Sequence, residues 1–71
     1  MTADRLKRVV WLLRERFPGK EEFMLNDLRK AIMEECGVDE RTIKGNIKAL
    51  IEIGYLTRRA RWYFKDNGIQ Y

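Results

Sequence analysis

The chain contains no histidine and no serine, and it has one cysteine, Cys36, and one proline, Pro18. These gaps remove whole classes of chemistry. Without histidine, and with a single thiol, the common zinc ligand sets cannot be assembled and no intramolecular disulfide can form, so neither a metal nor a cofactor is expected. Ser-His-Asp and Cys-His catalysis both lack a necessary side chain. The carboxylate pairs Glu21/Glu22 and Glu34/Glu35 are sequence neighbours that diverge on a helix or a strand and cannot flank one scissile bond, so they read as solvated charge. No ordered set of nucleophile, base and orienting group remains, and an enzyme is not expected. Long hydrophobic runs are missing too. The longest, Val9 to Leu13, is far short of the roughly 20 residues that span a bilayer. Arginine and lysine are mixed into the apolar N-terminal residues, unlike a secretory leader, so an intracellular protein with no membrane span is expected. Cys36 reads as a small, half-buried thiol at a helix end rather than a reactive one.

What is present is charge and aliphatic side chains: 37% of the 71 residues are charged and 45% are hydrophobic. A chain of this length makes one small domain, spanning residues 1–71, with most of its charge on the surface. The formal net charge is only +4, but it is unevenly placed. Residues 1–20 carry 6 basic and 2 acidic side chains, residues 21–40 carry 2 and 7, and residues 41–71 carry 7 and 2. Such asymmetry suits one surface that meets a polyanion and another that keeps the protein in solution.

Leu6, Val9, Val10, Leu13 and Phe17 follow the period of an amphipathic helix and predict a first helix over about 4–17, with Thr2 or Asp4 as its cap. Pro18-Gly19 ends it. Trp11 falls nearly opposite the apolar stripe, with Leu12 at its flank. Two readings stay open for that tryptophan: a ring lying over neighbouring arginine stems or the C-terminal segment, or a protein contact such as a homodimer interface. Phe23-Met24-Leu25 suits a short edge strand over about 22–25. Asn26 then reads as an N-cap, with a second helix over about 27–36 that turns Leu28, Ala31 and Ile32 inward and stops at a left-handed Gly37.

Val38 is placed to pack into the following turn. Asp39 is placed to cap a third helix over about 39–53, whose inner stripe is Ile43, Ile47, Leu50 and Ile51 and whose stop is Gly54. Two helices joined by so short a turn make a helix-turn-helix arrangement. Residues 55–71 turn aromatic and partly alternating, which favours a β-hairpin. Its tip is expected at Asp66-Asn67-Gly68, with Ile69 to Tyr71 returning as the last strand; a tip at Arg59 to Arg61 is the alternative. In the first register Arg59, Arg61 and Lys65 share a free side, and Ala60, Trp62 and Phe64 share the packed one.

The order helix, strand, helix, turn, helix, hairpin, together with GVDERTIKGNIKALIEIGYLTRR, resembles the winged helix-turn-helix family of DNA-binding domains across nearly the whole chain. Val38, Thr42-Ile43, Ile47, Leu50, Gly54 and Tyr55-Leu56 stand where that family usually has a turn hydrophobe, a Thr-aliphatic pair, core aliphatics and a glycine leading into the wing. The resemblance implies an α+β, mainly α fold of three helices with a small antiparallel wing. It further implies that helix 3 enters the major groove of double-stranded DNA while the wing meets the backbone.

Independently of the resemblance, the outer face of helix 3 carries Arg41, Gly45, Lys48 and Glu52, flanked by Thr42 and Lys44, and is basic in its N-terminal half. Arg41 and Lys48 are the candidate base and phosphate contacts, Thr42 and Lys44 support them, and Gly45 permits close approach to a groove wall. In the wing, Arg58, Arg59, Arg61 and Lys65 are the candidate phosphate contacts, acting largely without sequence information. The expected partners are double-stranded DNA and a second copy of the chain, for a transcription regulator. The rivals are an RNA or single-strand binder that stacks bases on Trp62, Tyr63 and Phe64, although core positions suit those rings better, and a protein-interaction module using Trp11 and the acidic middle third.

Overall fold

The computed structural model of the chain describes residues 2–68, with side chains from Arg5 onward. Helix α1 runs Thr2–Arg16, strand β1 Glu22–Met24, helix α2 Leu25–Cys36, helix α3 Glu40–Ile53, strand β2 Leu56–Ala60 and strand β3 Tyr63–Asp66. Three helices and a small antiparallel sheet make an α+β, mainly helical architecture. None of the helices is long and apolar enough, among the described residues, to cross a membrane.

The apolar stripes do what their spacing requires. Leu6, Val9, Val10 and Leu13 of α1, Leu28, Ala31 and Ile32 of α2, and Ile43 and Leu50 of α3 are buried in one cluster. Ile47 and Ile51 are half-buried against it, as are Phe17 and Leu12. The sheet closes the cluster with Phe23, Leu56 and Phe64. Full burial of each such side chain contributes roughly 1.5–3 kcal/mol, so these few residues carry most of the folding free energy of a small domain. Val38 is the exception: it is 78% exposed and does not pack into the turn before α3.

The helix ends are built differently from the local expectation. α1 begins at Thr2, so neither Thr2 nor Asp4 precedes it as a cap. α2 begins at Leu25, two residues earlier than its capping pattern predicts, and Asn26 lies inside its first turn. The residue in the N-cap position is Met24, which has no side chain able to cap. β1 runs straight into α2, and the N–H of Leu25 donates to the carbonyl of Trp62 at 2.7 Å. A long-range backbone bond thus satisfies a donor that a side chain would otherwise have to serve.

Asp39 does hold the N-cap position of α3, but its side chain makes no capping bond; its carbonyl accepts from the Ile43 N–H at 3.0 Å. Gly37 ends α2 with φ 123° and ψ 170°, an extended conformation reserved for glycine rather than the left-handed helical one. Gly54 ends α3 in the left-handed well, at φ 97° and ψ 10°. Its N–H donates to Ile51 and that of Tyr55 to Leu50, the paired bonds of a Schellman stop.

The sheet order is β1-β3-β2, with Phe23 opposite Phe64 and Leu56 opposite Asp66. The β2–β3 hairpin therefore turns at Arg61-Trp62, not at Asp66-Asn67-Gly68. Leu56 and Phe64 must both face the core, and that requirement sets the register and puts the reversal between them. A bulge at Arg59, between the Arg58–Phe64 and Ala60–Tyr63 pairs, adjusts the register beside the turn. The expected final strand at Ile69 to Tyr71 lies outside the described residues.

Candidate nucleic-acid interface

The outward face of α3 follows from its inward one. With Ile43 and Leu50 buried, Arg41, Lys44, Gly45, Lys48 and Glu52 are exposed, and Thr42 is half-buried next to Arg41. Asn46 donates through its Nδ2 to the Thr42 carbonyl at 2.7 Å, a bond one turn back along the same helix. Glu40, in the first turn, would oppose an approaching polyanion. The Arg29 guanidinium of α2 grips its carboxylate in a fork, at 2.6 and 2.8 Å, and holds that carboxyl below its usual range. The acid nearest Arg41 is thus partly neutralised by a residue outside the exposed face. Lys48 lies 3.9 Å from Glu52 in an exposed i,i+4 pair, which water and salt can readily replace.

Nothing lies within 4 Å of the position a β-carbon would take on Gly45. An interior helix glycine costs about 1 kcal/mol against alanine. No packing neighbour among the described residues explains the missing side chain, so the open space on this face belongs to the surroundings.

The hairpin carries the second basic group. Arg58, Arg59 and Arg61 are all exposed around the tip. Arg59 comes only to 4.0 Å of Glu22 across the sheet, a long and weak pair. Lys65 stands away from the tip, half-buried in mid-strand opposite both Glu22 and Thr57; Arg59 reaches that same Glu22, so Arg59 and Lys65 share one side of the sheet. The expected packed side is not formed. Phe64 is buried, but Ala60 is exposed and Trp62, at the turn, is 54% exposed. Tyr63 next to it is 42% exposed.

The opposite end of the hairpin contains interactions that sequence reasoning missed. Arg14 of α1 forks onto Asp66, with Nε to Oδ2 at 2.6 Å and Nη2 to Oδ1 at 2.8 Å, and the Asp66 side chain is only 9% exposed. This guanidinium, together with the Gly68 N–H, holds the Asp66 carboxyl below its ordinary value despite the opposing effect of burial. Asn67 donates its N–H to the Tyr55 carbonyl and its Nδ2 to the Gly54 carbonyl, and its Oδ1 accepts from the Thr57 hydroxyl. Asp66-Asn67-Gly68 thus seals the sheet against α1 and the end of α3. Its turn-forming composition is visible in the sequence; its partners, one of them 52 residues away, are not.

Trp11 stands on the outer side of α1, partly exposed, with Leu12 half-buried beside it. Cys36 is half-buried at the end of α2, and burial pushes its thiol up, away from the reactive thiolate. No group of acidic, cysteine or histidine side chains suited to a metal ion occurs among the described residues. No protein-family model, curated protein or solved structure matches the chain.

Proposed function

We propose that this chain is a winged helix-turn-helix domain that binds double-stranded DNA, with α3 in the major groove and the β2–β3 hairpin against the phosphate backbone, and that it serves as a small transcription regulator. The single observation that carries the proposal is the exposed face of α3. Arg41, Lys44 and Lys48 project from it, a glycine sits in their midst, and the nearby acid Glu40 is engaged from behind by Arg29. Arginine and lysine near the start of a recognition helix reach base edges and phosphates, and a bare backbone position lets the helix approach the groove wall. Arg58, Arg59 and Arg61 add phosphate contacts that release counterions without reading sequence.

One domain of this size covers few base pairs, so the proposal includes a homodimer reading two half-sites, with the Trp11 and Leu12 surface of α1 as its candidate contact. The test is titration of a short duplex selected from a random pool. Replacing Arg41 and Lys48 together with alanine is expected to weaken duplex binding about tenfold or more while leaving the fold intact, because both side chains are exposed. An unchanged affinity in that double variant would remove α3 as the reading element.

A further inference from the structure

Three large apolar side chains remain uncovered at one end of the sheet: Met24 at 45%, Trp62 at 54% and Tyr63 at 42% exposure. They belong together. Met24 is the direct cross-strand partner of Tyr63, and Trp62 is the preceding residue, in the hairpin turn. Aromatic surface normally goes into the core of a domain this small, as Phe64 does on the same strand. Here the packed and unpacked rings alternate along the strand, so the register that buries Phe64 sends Tyr63 outward.

The surroundings of these rings are cationic. The Arg61 guanidinium lies over the Trp62 ring, 5.3 Å from its centroid, and Arg59 stands on the neighbouring strand, 4.0 Å from Glu22, while Arg58, paired with Phe64, lies on the other face of the sheet. The backbone beneath is fixed, because the Trp62 carbonyl accepts the bond from Leu25 that starts α2. A half-open indole on a pinned turn, layered with the Arg61 guanidinium and with Arg59 nearby, matches the chemistry of an unpaired nucleic-acid base beside a phosphate. The charge argues against an apolar protein partner. It also argues against a second copy of this end of the molecule, since Arg59 and Arg61 would meet their like.

We propose that the Trp62 tip, with Tyr63 and Met24 as its shoulder, is a stacking site for an unpaired base at the edge of a duplex. It rests on the duplex-binding reading above and extends it: α3 and the arginines hold the paired part, and the tip engages a base that is not paired. The domain would then favour a duplex with a single-stranded extension over a blunt one.

The experiment compares the full chain on two DNA probes of identical duplex sequence, one blunt and one with a short single-stranded overhang, with binding followed by anisotropy of a labelled strand. The extended probe is expected to bind about fivefold or more tighter, given the usual worth of one base stacked on an aromatic ring. Trp62→Ala is expected to abolish that preference and leave blunt-duplex affinity within about twofold, and Trp62→Phe to keep most of it. Both variants change an exposed residue, and circular dichroism checks that they fold.

Equal binding of both probes by the native chain overturns the stacking site and leaves the duplex reading standing. A Trp62-dependent preference for the extended probe with no affinity for the blunt one supports the stacking site and overturns the duplex reading. Self-association that Trp62→Ala removes, with no change in the overhang preference, assigns the patch to a protein interface and overturns the proposal.

Discussion

The two ends of the β2–β3 hairpin are a few residues apart and chemically opposite. At its base, Leu56 and Phe64 enter the core, and Asp66 and Asn67 tie the sheet to α1 and to the end of α3 through the Arg14 fork and bonds to Gly54, Tyr55 and Thr57. At its tip, Arg58, Arg59, Arg61, Trp62 and Tyr63 are exposed; Arg61 lies over the Trp62 ring, Tyr63 stands opposite Met24, and Arg59 makes a long ion pair with Glu22. The difference separates two uses of one short sheet. The base is fixed by buried side chains and by bonds to distant parts of the chain, whereas the tip leaves its arginines and two aromatic rings exposed.

The contrast can be broken first at the base. Phe64→Ala removes a buried ring that faces Phe23 and is expected to destabilise the domain by about 3–5 kcal/mol, enough to unfold much of it, as read by thermal melting. A loss below about 1 kcal/mol would mean that the sheet is not part of the core.

Asp66→Asn comes next, at about 1–3 kcal/mol, because it weakens a largely covered ion pair and leaves Arg14 without its carboxylate. The pH dependence of that contribution follows from the lowered Asp66 pKa. A carboxyl whose folded pKa lies below its unfolded one stabilises the fold fully above the unfolded value. The contribution is then lost as pH falls through the ordinary 3.8 and on through the folded value. Native protein should therefore lose stability below about pH 5, and the acid limb of Asp66→Asn should be shallower. Coincident acid limbs would show that the Arg14 fork contributes nothing in solution.

Gly45→Ala carries the contrast to α3, where the predicted change in stability is opposite in sign. With open space around the added carbon, the helix should gain about 1 kcal/mol. If α3 docks in the groove as proposed, duplex affinity should fall, since the new methyl group would then meet the groove wall. A gain in both would mark Gly45 as a tolerated surface position. The smallest expected effect on folding is that of replacing Arg58, Arg59 and Arg61 together with alanine, within about 0.5 kcal/mol by melting. The same variant should bind duplex more weakly and show a shallower dependence of affinity on salt, by about 0.9 for each phosphate that is no longer neutralised.

Much of the architecture is legible in the sequence. The stripes of α1, α2 and α3 are periodic, and the same residues form the core; Gly54 stops α3 as its position predicts; the exposed basic face of α3 is simply the complement of its apolar one. What is not legible depends on partners distant in sequence. Asn26 looks like a cap, but the hairpin turn supplies the bond that starts α2 two residues earlier. Asp66-Asn67-Gly68 looks like a hairpin tip, but Arg14, Tyr55 and Gly54 make it a seal, and the core demands of Leu56 and Phe64 place the tip at two residues with little turn preference of their own. The exposure of Trp62 and Tyr63 is a consequence of that shift, so it too is hidden.

If α3 and the hairpin arginines together meet a DNA duplex, the most direct measurement is the affinity of the full chain for a short duplex across a salt series. Binding should be measurable at low salt, and log K should fall linearly with log salt, with a slope that corresponds to several phosphate contacts. Removing the hairpin arginines should reduce that slope. Absence of duplex binding at low salt, or an affinity that ignores salt, would contradict the account.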